Sequence, residues 1–127
     1  MSPHSGHSAA SKRILAVDDE KGTLAVVRRI LQNAGVETDT ASSREEALQR
    51  LRERAYDLVL LDMRMLGVTL EEAIGVIRRQ APRIVVLLMT GGAEQVEVDK
   101  ARALGAVGPV LKPFEPKTLV EAVRNHL

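Results

Sequence analysis

Ile14-Leu-Ala-Val17 followed by Asp18-Asp19, and Leu58-Val-Leu-Leu61 followed by Asp62, are the stretches that decide how this chain folds. Each is an apolar run of four residues closed by carboxylates. Runs this short, bounded by turn or charge signals and alternating with helix-like stretches, are the pattern of strands buried on both faces of a parallel α/β sheet. Two further runs behave alike: Ile84 to Met89 is followed by Thr90, and Val107 to Leu111 by Lys112. All four polar positions then share one edge. Ligands of open α/β sheets bind in the crevice beyond the carboxyl ends of the strands, so three carboxylates, a hydroxyl and an ammonium are expected to converge there.

Outward from these runs, strand-like and helix-like segments alternate through the rest of the chain. Leu24, Val27, Ile30 and Leu31 recur at helical spacing up to Ala34-Gly35, where glycine suits the left-handed position after a helix. Val36, Thr38 and Thr40 alternate with Glu37 and Asp39, as in a half-exposed edge strand. Ser43-Arg-Glu-Glu46 has the form of a capping box, with Glu46 expected to reach back to the N-cap amide, and opens a helix running to about Arg54. Its Glu46 and Arg50 lie one turn apart and are expected to form a solvated face. Asp57 to Leu61 is the third strand, a helix spans Leu70 to Gln80, and Ala81-Pro82 stops it. After the fourth strand, Thr90-Gly91-Gly92 leads into a helix ending near Leu104-Gly105, and Pro116, a favoured first helical residue, opens the last helix.

Right-handed crossovers with helices on both faces make this a doubly wound, five-stranded parallel sheet of flavodoxin-like form. The edge-like second strand beside an apolar first strand favours the order 2-1-3-4-5, with the switch point between strands 1 and 3. Asp18, Asp19 and Asp62 leave those two strands and are expected to meet at the crevice.

The bulk numbers bound the function. A chain of 127 residues, 45% hydrophobic, makes one domain with a core of its own. The absence of cysteine excludes disulfides and thiolate metal sites. Its 18 basic and 17 acidic residues are interspersed, without the basic stripe that nucleic-acid binding by counterion release needs. No apolar stretch approaches the ~20 residues of a membrane span, and Met1 to Ser11 lacks the apolar core of a signal peptide. A cytoplasmic protein without direct nucleic-acid or membrane contact is expected. Residues 1–12 are too poor in apolar surface to order themselves and read as a disordered tail; His4 and His7 there lack the further ligands a metal site needs.

Taken singly, the polar strand ends have ordinary explanations. Asp18 or Asp19 can cap the helix that follows, Asp62 can end a strand, and Lys112 can be a surface lysine. Together they describe a chemistry. Three converging carboxylates repel unless a cation compensates, and a hard divalent ion such as Mg²⁺ takes carboxylate, water and phosphate oxygens. A carboxylate can also act as nucleophile toward phosphorus, and the acyl phosphate needs donors around its oxygens. Thr90 offers a hydroxyl, Gly91 an unhindered N–H and Lys112 a point charge. Pro113 holds Lys112 extended, so that its side chain projects from the strand end toward the crevice.

Val17-Asp-Asp-Glu20, Leu60-Leu-Asp62-Met-Arg-Met65, Met89-Thr-Gly91 and Leu111-Lys-Pro-Phe114 stand in order at family-like spacing, and the chain from Arg13 to Leu127 resembles the response-regulator receiver domain of two-component signalling. The resemblance implies that Asp62 is the phosphoacceptor, that Asp19, Asp62 and the backbone carbonyl of Arg64 ligate Mg²⁺, and that Asp18 assists through water. Thr90 and Lys112 would bind the phosphoryl oxygens. The donor would be a sensor histidine kinase or a phosphotransfer protein, with acetyl phosphate as a possible substitute. In receivers the face from the fourth to the fifth helix often serves output or homodimer formation; here it would carry Glu94, Glu97, Lys100, Arg102, Lys117, Glu121 and Arg124. The chain ends about where the fifth helix ends, as expected of a stand-alone regulator or of a receiver cut from a longer protein.

Several positions depart from the family pattern. Leu66 replaces the usual proline and Thr69-Leu70 the usual Asp-Gly, so the loop after Asp62 is expected to be reshaped, since leucine does not adopt positive φ as glycine does. Pro109 stands where the family commonly places the Tyr or Phe that moves inward with the threonine. Proline has no ring to move, and only Tyr56 and Phe114 are aromatic. The signal is therefore expected to pass through the loop after Thr90 and the helix beginning near Glu94. Arg64 and Gly92 occupy variable positions said to tune the acyl phosphate lifetime; Arg64 is either a solvated loop residue or a guanidinium that contacts the phosphoryl group. A degenerate receiver acting as a phosphorylation-independent interaction module is the alternative. A flavin carrier is disfavoured by the scarcity of aromatics and by the lack of a phosphate-cradling glycine loop.

Overall fold

The structure, a computed structural model, describes residues 12–65 and 67–127. Strand β1 (Arg13–Val17) leads into helix α1 (Lys21–Asn33), β2 (Glu37–Ala41) into α2 (Arg44–Glu53) and β3 (Leu58–Asp62) into α3 (Leu70–Gln80). Then β4 (Val85–Thr90) leads into α4 (Gln95–Ala103), and β5 (Val107–Leu111) into α5 (Pro116–Arg124). All strands are parallel in one sheet of order β2-β1-β3-β4-β5. His4, His7, nearly all of the expected tail and Leu66 lie outside the described residues.

Alternation along the central strands builds two cores. Leu15, Val17, Val59, Leu61, Val86 and Leu88 face one side, where they pack with Ala47 of α2, Ile74 and Ile77 of α3, and Val98 and Ala101 of α4. Ile14, Ala16, Leu58, Leu60, Leu87 and Met89 face the other, against Leu24, Val27 and Leu31 of α1 and Leu119 and Val123 of α5. Sheet faces buried on both sides explain why the strands read as unbroken apolar runs rather than alternating ones.

Element ends differ in instructive ways from the sequence reading. Asp57 lies outside β3 because its carboxylate accepts the Arg13 N–H at 2.8 Å, tying the start of β1 from the side. Ser43 caps α2 by accepting the Glu46 N–H at 3.1 Å, but Glu46 reaches one residue further back than a capping box requires, accepting the Ser42 N–H at 2.6 Å. Arg50 pairs with Glu53 at 3.8 Å and donates to the Thr40 carbonyl at 3.4 Å rather than meeting Glu46. Gly35 and Gly105 end α1 and α4 at φ +84° and +93°, as expected of glycine after a helix.

Strand β5 is the irregular one. Its pairing with β4 shifts register between Leu87 and Met89, at Gly108-Pro109. Gly108 has φ +99°, and a Cβ there would lie 3.0 Å from Leu87 Cδ1 and 3.1 Å from the Leu88 carbonyl oxygen. Arg102 of α4 donates to the Gly108 carbonyl through Nε at 3.0 Å and through its Nη2 group at 2.5 Å. Proline lacks the N–H of a ladder position, and an edge strand is where that loss is tolerated.

Candidate functional site

The register places the strand ends at one level. Val17 pairs with Leu61, Asp62 with Met89, and Thr90 with Leu111. The next residue along β1 is therefore Asp18, beside Asp62, and the residue after β5 is Lys112, whose N–H donates to the Thr90 carbonyl at 2.7 Å. Asp18, Asp62 and Thr90 are buried, whereas Asp19 is exposed at the rim.

Lys112 binds the acidic group together. Its ammonium lies 2.7 Å from Asp18, 3.0 Å from Asp62 and 3.8 Å from the exposed Glu20. The other oxygen of each buried carboxylate accepts from local backbone: Asp18 from the Glu20 N–H at 3.0 Å, and Asp62 from the Arg64 N–H at 3.3 Å. Asp18 is thus not the cap of α1; Glu20 occupies that position. Thr90 Oγ accepts the Gly92 N–H at 3.1 Å, which leaves the hydroxyl proton available to a ligand in the crevice.

Burial pushes the Asp62 carboxyl above its ordinary 3.8, the hydrogen bond from Lys112 opposes that, and the charge of Asp18 adds to it. Burial works against the charge of Lys112, but its hydrogen bonds to Asp18 and Asp62 outweigh burial and hold it above its ordinary 10.5. Asp62 is therefore a carboxylate poorly satisfied by its surroundings, while the lysine that serves it is firmly protonated.

The ligand atoms of Asp18, Asp19 and Asp62 all lie within 4.8 Å of one another. Three carboxylates with no softer donor among them suit Mg²⁺, which needs compact oxygen ligation and keeps waters or phosphate oxygens in its remaining positions. Added positive charge would also relieve the raised pKa of Asp62.

Comparison with known proteins gives this arrangement a family. The model described as response regulator receiver domain matches residues 14–124. The chain belongs to that family. The chemotaxis protein CheY4 of Vibrio cholerae superposes with a TM-score of 0.86 at 30% identity, covering 92% of this chain and 99% of that one. The response regulator TrrA of Thermotoga maritima, in complex with Mg²⁺-BeF, has a TM-score of 0.78 at 36% identity, covering 91% and 99%. Among curated relatives, the DNA-binding response regulator MtrA of Mycolicibacterium smegmatis is 33% identical over 116 residues, 91% of this chain and 50% of that protein. This receiver spans about half the length of MtrA.

Within the family frame the departures acquire structural answers. The loop after Asp62 contains a glycine at positive φ three residues before Leu70, Gly67 at φ +78°. Thr69 then caps α3, accepting the Glu72 N–H at 3.1 Å and donating to the Glu72 carboxylate at 3.0 Å. The capping role of Thr69 was not expected from the sequence, although threonine three residues before glutamate is a capping-box signature. Tyr56 cannot replace the absent ring at position 109, because its hydroxyl donates to Asp39 at 2.6 Å beside the start of β3, the end of the sheet opposite the acids. Phe114 lies on the α1 side, lining a groove with Thr23, Val26, Gly91 and Pro113.

Two contacts were not visible in the sequence. Glu20 joins the Lys112 cluster as an outer carboxylate, and Arg64 faces Glu97 of α4 at 3.8 Å. From the sequence, Glu97 stands only as one of the charges on the face from the fourth to the fifth helix. Its partner is more than thirty residues away, and no local pattern announces such a pair. Among the described residues, no helix is long and apolar enough to cross a membrane.

Proposed function

We propose that this receiver, residues 13–127, is a phosphorylation-controlled conformational switch whose phosphoacceptor is Asp62. The observation that carries the reading is the buried Asp62 carboxylate held 3.0 Å from Lys112, with the ligand atoms of Asp18 and Asp19 within 4.8 Å. A carboxylate raised in pKa by burial yet flanked by a fixed ammonium is poised for a group that brings a compensating cation with it. Asp18, Asp19, Asp62 and the backbone carbonyl of Arg64 would hold Mg²⁺, which supplies charge neutralisation between carboxylate and phosphoryl oxygens.

The donor is a phosphohistidine of a sensor kinase or phosphotransfer protein. An Asp62 oxygen attacks phosphorus, the P–N bond breaks, and the P–O bond of the acyl phosphate forms as the imidazole leaves. Lys112 keeps its contact with Asp18 and turns its charge to a phosphoryl oxygen, while the Thr90 hydroxyl donates to another. Hydrolysis later returns the carboxylate. The expected setting is the cytoplasm. Output passes to a downstream protein or domain, or to a second copy, through the face between α4 and α5, where Val96, Leu104 and Leu111 are 54%, 44% and 65% exposed.

Incubation with acetyl phosphate and Mg²⁺ followed by intact mass measurement tests the reading. One added phosphoryl group, abolished by Asp62→Ala and by chelation of the metal, is the expected result. Unmodified protein under conditions that label a control receiver would favour the alternative, an interaction module that no longer uses phosphorylation. Pro109 is the observation on that side, because it removes the ring that usually answers the threonine.

A further inference from the structure

Arg64 stands between the acceptor and α4. Its backbone N–H donates to Asp62 at 3.3 Å, so any group attached to that carboxylate is within the sweep of its side chain. The guanidinium itself points away, across a groove of about 430 Å³ between the β3–α3 loop and α4, to Glu97 at 3.8 Å. Glu97 is not idle there. The carboxylate oxygen facing Arg64 also accepts the Glu94 N–H at 3.3 Å, at the residue that caps α4. One carboxylate thus connects the loop after Asp62 with the first turn of α4.

The pair is built to be exchanged. Both side chains are well exposed, 65% and 45%, and a single contact of 3.8 Å in that setting is weak and screened. A phosphoryl group on Asp62 would offer the same guanidinium a near-dianion with several acceptor oxygens and the chance of two parallel hydrogen bonds. Carboxylate and phosphoryl group compete for one cation, and the phosphoryl group is the stronger partner.

We propose that Arg64 is a positioning residue that trades Glu97 for the phosphoryl group on Asp62, releasing the first turn of α4 and so carrying the signal that Pro109 cannot relay. This rests on the phosphoacceptor reading of Asp62. Loss of the guanidinium breaks the link that Glu97 makes between the β3–α3 loop and the first turn of α4, so that turn is free to shift relative to the loop as the acyl phosphate gains a donor. The coupling is reciprocal: whatever draws Glu97 off Arg64 while leaving the guanidinium in place strengthens binding at Asp62.

The test uses the full chain with Mg²⁺ and beryllofluoride, a stable phosphoryl mimic, followed by amide NMR in the wild type, Arg64→Ala, Glu97→Gln and the double variant. Glu97→Gln is expected to bind the mimic about two- to fivefold more tightly, the scale of one exposed ion pair, and to show the amides of residues 94–98 already displaced toward their bound positions. Arg64→Ala is expected to bind about two- to fivefold more weakly and to lose the shift of those amides on binding, and the double variant should match it. Arg64→Lys, which keeps the charge, should recover part of both. Equal affinity in the wild type and Glu97→Gln, or unchanged α4 shifts in Arg64→Ala, overturns the exchange and leaves the phosphoacceptor reading standing. No Mg²⁺-dependent binding of the mimic by the wild type overturns both.

Discussion

At Asp62, stability and the proposed phosphoacceptor function pull in opposite directions. Because burial raises its pKa, the folded state binds that proton more tightly than the unfolded chain does. The stability linked to that proton is complete below the ordinary 3.8 and is lost as pH rises through the raised value, so ionised Asp62 is a cost at neutral pH. Asp62→Asn is therefore expected to have a higher urea midpoint than the wild type at pH 7.5. The gap should narrow as pH is lowered toward 4, where the protonated acid and the amide are close to equivalent. Mg²⁺ should close the gap from the other side, since a ligand at 100 times its Kd stabilises the wild type by about 2.7 kcal/mol and the amide variant far less. A gap independent of both pH and Mg²⁺ would show that Asp62 bears no uncompensated charge. The identities of Asp18, Asp62, Thr90 and Lys112 were legible because each ends an apolar run, and parallel register turns sequence position directly into spatial level. The Arg64–Glu97 contact was not, because it depends on where a loop and a helix come to lie.

At the scale of elements, the loop after Asp62 and the strand β5 show how unusual residues are accommodated. The helix-capping function of α3 falls to Thr69, whose removal in Thr69→Ala should cost about 1 kcal/mol in chemical denaturation, while Thr69→Asp should restore most of it. A capless variant as stable as the wild type would mean that the Glu72 interaction is incidental. Gly108 is constrained twice, by a φ of +99° and by the closeness of Leu87 and Leu88. Gly108→Ala is expected to lose about 2–4 kcal/mol, combining the left-handed backbone cost with overpacking against β4, as measured by the denaturation midpoint. A loss below about 1 kcal/mol would show that β5 can slide to make room. Strand and helix positions were readable from periodicity to within a residue or so. The bulge was not, since Val107 to Leu111 reads as one short strand and only the β4 partner reveals the missing register step.

For the whole molecule, these observations bear on which part of the receiver moves. Strand β5 is held on both sides: it pairs with β4, with room at Gly108 for no side chain beside Leu87 and Leu88, and Arg102 of α4 grips the Gly108 carbonyl. Pro109 offers no ring to swing inward, and Tyr56 is committed to Asp39 at the other end of the sheet. The loop after β4 is differently placed. Gly91 and Gly92 are exposed, Gly92 has φ +146°, and its N–H rests on the Thr90 hydroxyl oxygen, the group that under the proposed function would reorient to meet a phosphoryl oxygen. A displacement there breaks one hydrogen bond and disturbs little packing, whereas a displacement of β5 disrupts its ladder with β4 and the Arg102 contacts to Gly108 and moves the buried Val110. Hydrogen exchange on binding Mg²⁺ and beryllofluoride should accordingly change in residues 91–103 and stay constant in residues 107–111. Changes confined to β5, with α4 unaffected, would reject this path and require that the strand itself transmits the signal despite its proline. Pro109→Tyr gives the complementary measurement: with a ring restored, exchange in β5 should begin to respond to the mimic, and its continued silence would assign the rigidity of that strand to Gly108 and Arg102 rather than to the missing aromatic group.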